Sequence, residues 1–160
     1  MIERLFTTGV YGKTEQQFFR QLTDSQIQVF CDIRRRRGVR GSQYSFVNST
    51  YLQKALAEFQ IAYRYVPELA PTKEIREAQH AADVRDGVLK RTRQELGEEF
   101  KQRYTHDILS SFNSQKFSTS FDSNAGRVVL FCVEGTPGAC HRSLVAEKLQ
   151  NDLGISVEHL

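Results

Sequence analysis

The chain has 160 residues, 26% of them charged, and a formal net charge of +3. That length predicts one domain over residues 1–160, and so modest a charge does not by itself indicate nucleic-acid binding. The sequence has neither an apolar run of the roughly 18 residues that a membrane helix needs nor a secretory signal, so we expect a cytoplasmic protein.

Strands alternate with helices in the pattern of the first 66 residues. Thr14 and Gln17 match a capping box, which predicts the start of a helix. The predicted elements are a strand over Arg4–Thr8, a helix after Thr14 with Phe18, Phe19 and Leu22 inward, a strand over Ile27–Ile33, a loop from Arg34 to Ser49, a helix over Thr50–Phe59 and a strand over Ile61–Val66. A loop of that length is usually functional.

The remaining sequence begins with a charged, proline-free stretch from Thr72 to about Phe112, which predicts two or three helices broken near Asp86-Gly87 and Gly97. The elements predicted after it are an irregular segment over Ser110–Gly126, a strand over Arg127–Val133, a helix over Ser143–Leu153 ended by Gly154, and a short strand over Ile155–Leu160. This alternation predicts an α/β fold: a single three-layer domain with a mainly parallel, Rossmann-like sheet flanked by helices.

Polar residues follow three of the predicted strands directly. In a parallel sheet the carboxyl ends of the strands lie on one edge, where open α/β folds hold their ligands. The connections that would meet there are Thr8–Lys13, Asp32 to about Phe46, and Glu134–Arg142. We therefore expect a crevice that includes Thr8, Gly9, Tyr11, Lys13, Asp32, Arg34, Glu134, Cys140, His141 and Arg142.

The tripeptide Cys140-His141-Arg142 lies at a predicted helix N-terminus, which attracts anions. There Cys140 is either a thiolate nucleophile or a small buried hydrophobe. His141 is a general base, an anion donor or a structural hydrogen bonder, and Arg142 binds an anion or forms an internal salt bridge. Ala146 occupies the position, six residues after the cysteine, where a phosphatase signature needs arginine, so that chemistry is disfavoured.

Two carboxylates follow buried strands. Asp32 could orient His141, pair with an arginine or serve in acid–base catalysis, since an unpaired buried charge is costly. Glu134 holds the equivalent place on its own strand, so the pair could perform general acid–base chemistry, including glycosidic-bond chemistry.

The three cysteines, Cys31, Cys132 and Cys140, favour reduced thiols over a disulfide framework. A metal site formed by these cysteines and His141 is disfavoured, because there is no Cys-x-x-Cys pair and Cys31 and Cys132 lie inside apolar strands, where sulfur usually belongs to the core.

Arg34, Arg35, Arg36, Arg37 and Arg40 form a basic run that either follows a phosphate backbone, with Tyr44 and Phe46 available for stacking, or is a solvated loop. The turn after the first strand, which ends in Gly12-Lys13-Thr14, lacks the first glycine of a nucleotide triphosphatase loop, because position 7 is Thr7.

Several of these motifs together resemble the family named domain of unknown function 488. The matching segments, in order over nearly the whole chain, are Thr7-Thr8-Gly9, Phe18, Asp32-Ile33-Arg34, Ser45-Phe46-Val47-Asn48, Cys132-Val133-Glu134 and Cys140-His141-Arg142. The chain departs from the family at Val10, where a histidine is common, and at Leu69-Ala70-Pro71, where Leu-Gly-Gly is common. The resemblance implies a fold, and no settled activity comes with it.

The leading functional hypothesis is a small enzyme that acts on a phosphate-bearing ligand, such as a nucleotide or nucleic acid. Arg34 and Arg142 would hold the anion, aided by the turn that contains Thr8, Gly9, Tyr11 and Lys13. The catalytic candidates are Cys140, His141, Asp32 and Glu134, and no cofactor is predicted. One alternative is a module that binds the same ligand without catalysis. The other is a protein whose polar cluster is an internal brace and which works through a surface partner.

Overall fold

A computed structural model describes residues 1–160 and contains one sheet of five strands, all parallel, in the order β3-β2-β4-β1-β5. The strands are β1 (Arg4–Thr8), β2 (Val29–Asp32), β3 (Ala62–Tyr65), β4 (Arg127–Phe131) and β5 (Ser156–His159). Strands β2, β4 and β1 lie at the centre and are buried almost throughout, as expected for a parallel sheet covered on both faces. The predicted α/β fold is confirmed.

Six α-helices cover this sheet: α1 (Glu15–Asp24), α2 (Ser49–Glu58), α3 (Lys73–Asp86), α4 (Glu98–Tyr104), α5 (Ser114–Thr119) and α6 (His141–Leu153). Adjacent residues of a strand point to opposite faces. On β1, Thr7 contacts Arg142 of α6 and Thr8 contacts Gln21 of α1, so those two helices lie on opposite faces. Helix α2 joins the α1 side, where Phe59 stacks on Phe19, and α4 and α5 contact α6.

Local signals in the sequence explain several helix ends. The Thr14–Gln17 capping box forms as predicted, with hydrogen bonds of 2.9 and 3.2 Å. Gly87 and Gly154 adopt left-handed conformations, with φ of 66° and 67°, at the ends of α3 and α6. None of the helices combines the length and the apolar character that a membrane span requires.

Several predicted boundaries differ by one or two residues from those in the structure, and one segment predicted as irregular contains a helix. The segment predicted as irregular, Ser110–Gly126, contains α5, whose first turn is capped by the Asn113 side chain accepting from the Lys116 amide at 2.7 Å. Strand β4 ends at Phe131, before the predicted Val133. Helix α6 begins at His141 rather than at the predicted Ser143, which makes Cys140 its N-cap residue.

Candidate functional site

A cleft of about 920 Å³ opens at the carboxyl ends of the strands. Its walls are the turn after β1, the loop after β2, helix α3 with the segment that follows it, and the start of α6. The predicted site residues that line this cleft are Tyr11, Arg34, Glu134, Cys140 and His141.

Backbone hydrogen bonds fasten the converging segments to one another. The amides of Val10 and Tyr11 both donate to the Val133 carbonyl, at 3.0 and 3.1 Å, which joins the turn after β1 to the loop after β4. Gly9 makes this approach possible, because a Cβ at that position would lie 1.8 Å from the carbonyl oxygen of Glu134. Only glycine can accept such close contact with a backbone.

Asp32 lies behind the cleft wall and holds Arg34 in place. The carboxylate is fully buried and accepts two hydrogen bonds from the Arg34 side chain, at 2.7 and 2.8 Å, in a bidentate arrangement. It also accepts from the Tyr63 hydroxyl at 2.8 Å. The structure therefore shows Asp32 in the arginine-pairing role, one of the roles that the sequence left open. The remaining guanidinium nitrogen of Arg34, Nη1, is buried and has no hydrogen-bond partner.

Two thiols and an imidazole meet at the cleft floor. One ligand atom each from Cys132, Cys140 and His141 lies within 4.8 Å of the others, and all three residues are buried. His141 Nε2 lies 3.0 Å from the Ile33 carbonyl, to which only a protonated nitrogen can donate. Its Nδ1 lies 3.7 Å from Cys140 Sγ.

These neighbours change the proton affinities at the floor. A hydrogen bond with Cys140, together with burial, raises the pKa of the Cys132 thiol to about 12. Burial lowers the pKa of His141, but Cys132 and Glu134 outweigh it and the net change is an increase. The Cys132 thiol is consequently protonated near neutral pH.

Glu134 connects this floor to the opposite wall. Its Oε2 accepts from the Cys132 thiol at 3.2 Å, and its Oε1 accepts from Arg93 at 3.3 Å. Burial raises the pKa of the Glu134 carboxyl, and Cys132 adds to the effect. Arg93 also donates to Asp83 of α3 at 2.7 Å, so one buried arginine links two carboxylates from different elements.

Arg142 is placed differently from its two neighbours in the tripeptide. Its guanidinium is fully buried outside the cleft lining and donates to the carbonyls of Glu134 and Gly135 and to the Thr7 hydroxyl. It has no carboxylate partner within salt-bridge distance. These contacts correspond to the internal-brace alternative, with carbonyl oxygens in place of the carboxylate considered from the sequence.

Thr8 and Lys13 lie on the α1 side of β1, away from the cleft. Lys13 Nζ donates to the Thr8 hydroxyl, to the Gln21 side chain and to the Leu160 carbonyl, at 2.8 to 3.2 Å. Burial, followed by the charge of Arg142, lowers the pKa of Lys13 to about 8. The structure therefore divides the ten predicted residues: Thr8, Gly9, Lys13 and Arg142 support the loops, Asp32 lies behind the wall, and the other five face the cleft.

Positive charge dominates the cleft lining. Its two carboxylates are Asp83 and Glu134, and its cationic residues are Arg34, Arg35, Arg36, Arg40, Arg76, Lys90, Arg91 and Arg93. Ion pairs engage Arg34, Lys90 and Arg93. The other five arginines have no carboxylate within salt-bridge distance, and Arg91 instead lies over the rings of Tyr11 and Tyr44, at 5.4 and 5.6 Å from their centres.

Several of these wall residues were missed in the sequence, notably Arg76, Asp83 and Arg93. They lie in the charged stretch that the pattern assigns to helices, where charge usually marks a solvated face. One local signal in the sequence points to Asp83. It lies one helical turn after Gln79, and side chains at that spacing can hydrogen bond along a helix, as these two do at 2.7 Å.

A family model described as "Domain of unknown function DUF488" matches residues 14–149. No curated protein and no solved structure matches the chain.

Proposed function

The chain belongs to the DUF488 family, and we propose that it binds a phosphate-bearing ligand in the cleft at the carboxyl ends of β1, β2 and β4. The observation that carries this proposal is the charge of the cleft lining, which contains eight cationic side chains and two carboxylates. A cleft of one sign with low-dielectric walls concentrates ligands of the opposite charge.

Unused hydrogen-bond donors support the same conclusion. Arg34 Nη1 and Arg76 Nε are buried and have no partner, and both residues line the cleft. A buried donor without an acceptor costs about 1–3 kcal/mol. Phosphate oxygens supply acceptors of the required charge, and guanidinium groups bind them through paired N–H donors.

The arrangement of Asp32 and Arg34 fits a binding role. Two donors of Arg34 are held by the Asp32 carboxylate, so the group is fixed before any ligand arrives. Rigid positioning of a binding side chain reduces the entropy lost on association. A cleft of about 920 Å³ lies within the size range of small-molecule sites and is large enough for a nucleotide.

Binding can be tested by titrating the full chain with pyrophosphate, mononucleotides and a short single-stranded oligonucleotide over a series of salt concentrations. The test variants are Arg76→Gln and the double change Arg35→Gln/Arg36→Gln. The matched control is Arg20→Gln/Arg103→Gln, which removes two exposed arginines outside the cleft lining.

We expect each cleft variant to weaken binding about tenfold or more, since a charge-assisted hydrogen bond contributes about 1.5–3 kcal/mol. The control should bind as the unchanged protein does. If an oligonucleotide is the ligand, the double variant should also show a shallower salt dependence, by about one unit for each lost phosphate contact. Equal weakening by the cleft and control variants, or no binding of any probe, would refute the proposal.

A further inference from the structure

We propose that Cys132, Cys140 and His141 form a zinc site at the floor of the cleft. The two sulfurs and one imidazole nitrogen lie within 4.8 Å of one another, and they come from two separate segments of the chain. Thiolate and imidazole are the ligands that Zn²⁺ takes in proteins, and three protein ligands with one open position are typical of zinc sites that bind a further ligand. This goes beyond anion binding and rests on different side chains.

The separation of one ligand pair, Cys140 and His141, suits a tetrahedral ion. With Zn–S and Zn–N bonds of about 2.3 and 2.0–2.1 Å, a tetrahedral angle places sulfur and nitrogen about 3.6 Å apart. Cys140 Sγ and His141 Nδ1 are 3.7 Å apart. An ion can therefore bridge this pair with almost no movement of either side chain.

The orientation of the imidazole is already fixed. The Ile33 carbonyl, 3.0 Å away, accepts the proton of His141 Nε2, so the lone pair of Nδ1 faces the sulfurs. A histidine that binds a metal almost always donates its other ring N–H to a carbonyl or carboxylate in this way. The hydrogen bond to Ile33 is thus the outer contact that a metal-binding histidine requires.

The three ligands also sit on rigid elements and are shielded from water. Cys132 directly follows the buried strand β4, Cys140 is the N-cap of α6, and His141 begins that helix; none of the three is more than 6% exposed. Their sulfur and nitrogen atoms favour Zn²⁺ over Mg²⁺ or Ca²⁺, which take oxygen ligands.

The open position would face the anion cleft, because all three ligands line it together with Glu134. Glu134 Oε2 lies 3.2 Å from Cys132 Sγ, and Arg93 holds the other carboxylate oxygen. We therefore assign Glu134 a place beside the ion, where it can hydrogen bond to whatever occupies the fourth position.

The site can be tested on the reduced full chain, stripped with a chelator and titrated with Zn²⁺ against a competing indicator. Co²⁺ loading then reports the ligands, because bound thiolates give a charge-transfer band and tetrahedral geometry gives intense visible bands. The variants are Cys140→Ala and Cys132→Ala. Cys31→Ala is the matched control, since this third cysteine is fully buried on neighbouring β2 and outside the cluster.

We expect one ion per chain and a loss of about 100-fold or more in affinity for each cluster variant, with little change for Cys31→Ala. Glu134→Gln should keep the stoichiometry of one. The unaltered protein offers a test that does not depend on variant folding. Relative to the chelator-stripped protein, Zn²⁺ should slow alkylation at positions 132 and 140 and leave the rate at Cys31 unchanged, as mapped by mass spectrometry.

Three results would overturn the proposal: stoichiometry far below one, equal effects of Cys31→Ala and Cys140→Ala, or protection of neither cluster thiol. Rapid formation of a disulfide between Cys132 and Cys140 that Zn²⁺ fails to prevent would also overturn it. Anion titration of the chelator-stripped protein is a separate measurement, so failure of the zinc site and failure of the anion cleft can be told apart.

Discussion

Replacing Asp32 with asparagine should destabilise the protein far more than replacing Asp32 and Arg34 together with apolar residues. Asparagine preserves the shape of the side chain but removes its charge. Arg34, only 3% exposed, would then keep a positive charge without its counter-ion. The amide would also turn one N–H donor toward the donors of the guanidinium and of Tyr63.

The magnitude follows from the buried geometry. The Asp32 carboxylate is fully buried and accepts from Arg34 at 2.7 and 2.8 Å, from the Arg34 amide at 3.2 Å and from Tyr63 at 2.8 Å. Removing one member of such a pair costs about 3–5 kcal/mol, because the remaining charge has no compensation. Replacing both members with apolar groups of similar volume is often neutral or stabilising, since two desolvation penalties disappear.

The assay is reversible urea unfolding of Asp32→Asn and of Asp32→Leu/Arg34→Met, each compared with the unchanged chain. We expect the single variant to lose about 3–5 kcal/mol of unfolding free energy and the double variant to lose less. Tyr63→Phe, which removes one hydrogen bond to the same carboxylate, should cost only about 1 kcal/mol.

The same two variants separate stability from binding. The double variant should be the more stable of the two and yet bind the anionic probe weakly, because the fixed guanidinium of Arg34 is gone. A double variant at least as unstable as Asp32→Asn would show that an uncompensated charge is not the cause. A stable double variant with unchanged affinity would remove Arg34 from the binding site.

Three further predictions concern the loops behind the cleft. Gly9→Ala should destabilise the protein by about 3 kcal/mol or more in urea unfolding, because the new Cβ would lie 1.8 Å from the Glu134 carbonyl oxygen. The control Gly38→Ala, whose Cβ would have its nearest neighbour at 3.6 Å, should change stability by less than about 1 kcal/mol. Lys13 should titrate near pH 8 by NMR, below its ordinary pKa of 10.5. Between those two pH values the unfolded chain binds a proton on Lys13 that the folded chain has lost, so the free energy of unfolding should rise as pH increases from about 8 towards 10.5. A titration midpoint above about 10 would contradict this. Arg142→Met should raise the pKa of Lys13, because it removes a neighbouring positive charge. It should also lower the free energy of unfolding by several kcal/mol, because the buried carbonyls of Glu134 and Gly135 lose their donor. An unchanged Lys13 titration would show that the two charges do not interact.

The sequence was informative wherever local chemistry alone decides the structure. The Thr14–Gln17 capping box and the glycines at 87 and 154 act within one helical turn, so their outcome can be predicted without knowing the fold. Helix α5 was missed because its composition is rich in serine. The helix buries Phe117 and packs against α6, where the Ser114 hydroxyl donates to Asp152, and these contacts exist only in the folded chain.

The site shows the same division between local and tertiary information. The rule that polar strand ends converge placed Arg34, Glu134, Cys140 and His141 at one cleft. It could not place Arg93, which arrives from the segment between α3 and α4 and has no strand beside it in sequence. Nor could it say that Arg142 would turn inward, because the direction of a side chain in a first helical turn depends on what lies on each side of the helix.

The charge of the proposed zinc site determines how zinc loading affects anion binding in the cleft. A Zn²⁺ ion bound by two thiolates and a neutral imidazole has no net charge, so loading it adds little to the long-range attraction of the arginine-lined cleft. The arginines would therefore hold an anion with nearly the same affinity in the stripped and the loaded protein. Affinity would increase on loading only for a ligand whose oxygen enters the fourth position of the ion. Comparing the anion titrations of the two forms thus shows whether the ligand stops at the arginines or reaches Cys132, Cys140 and His141 at the floor.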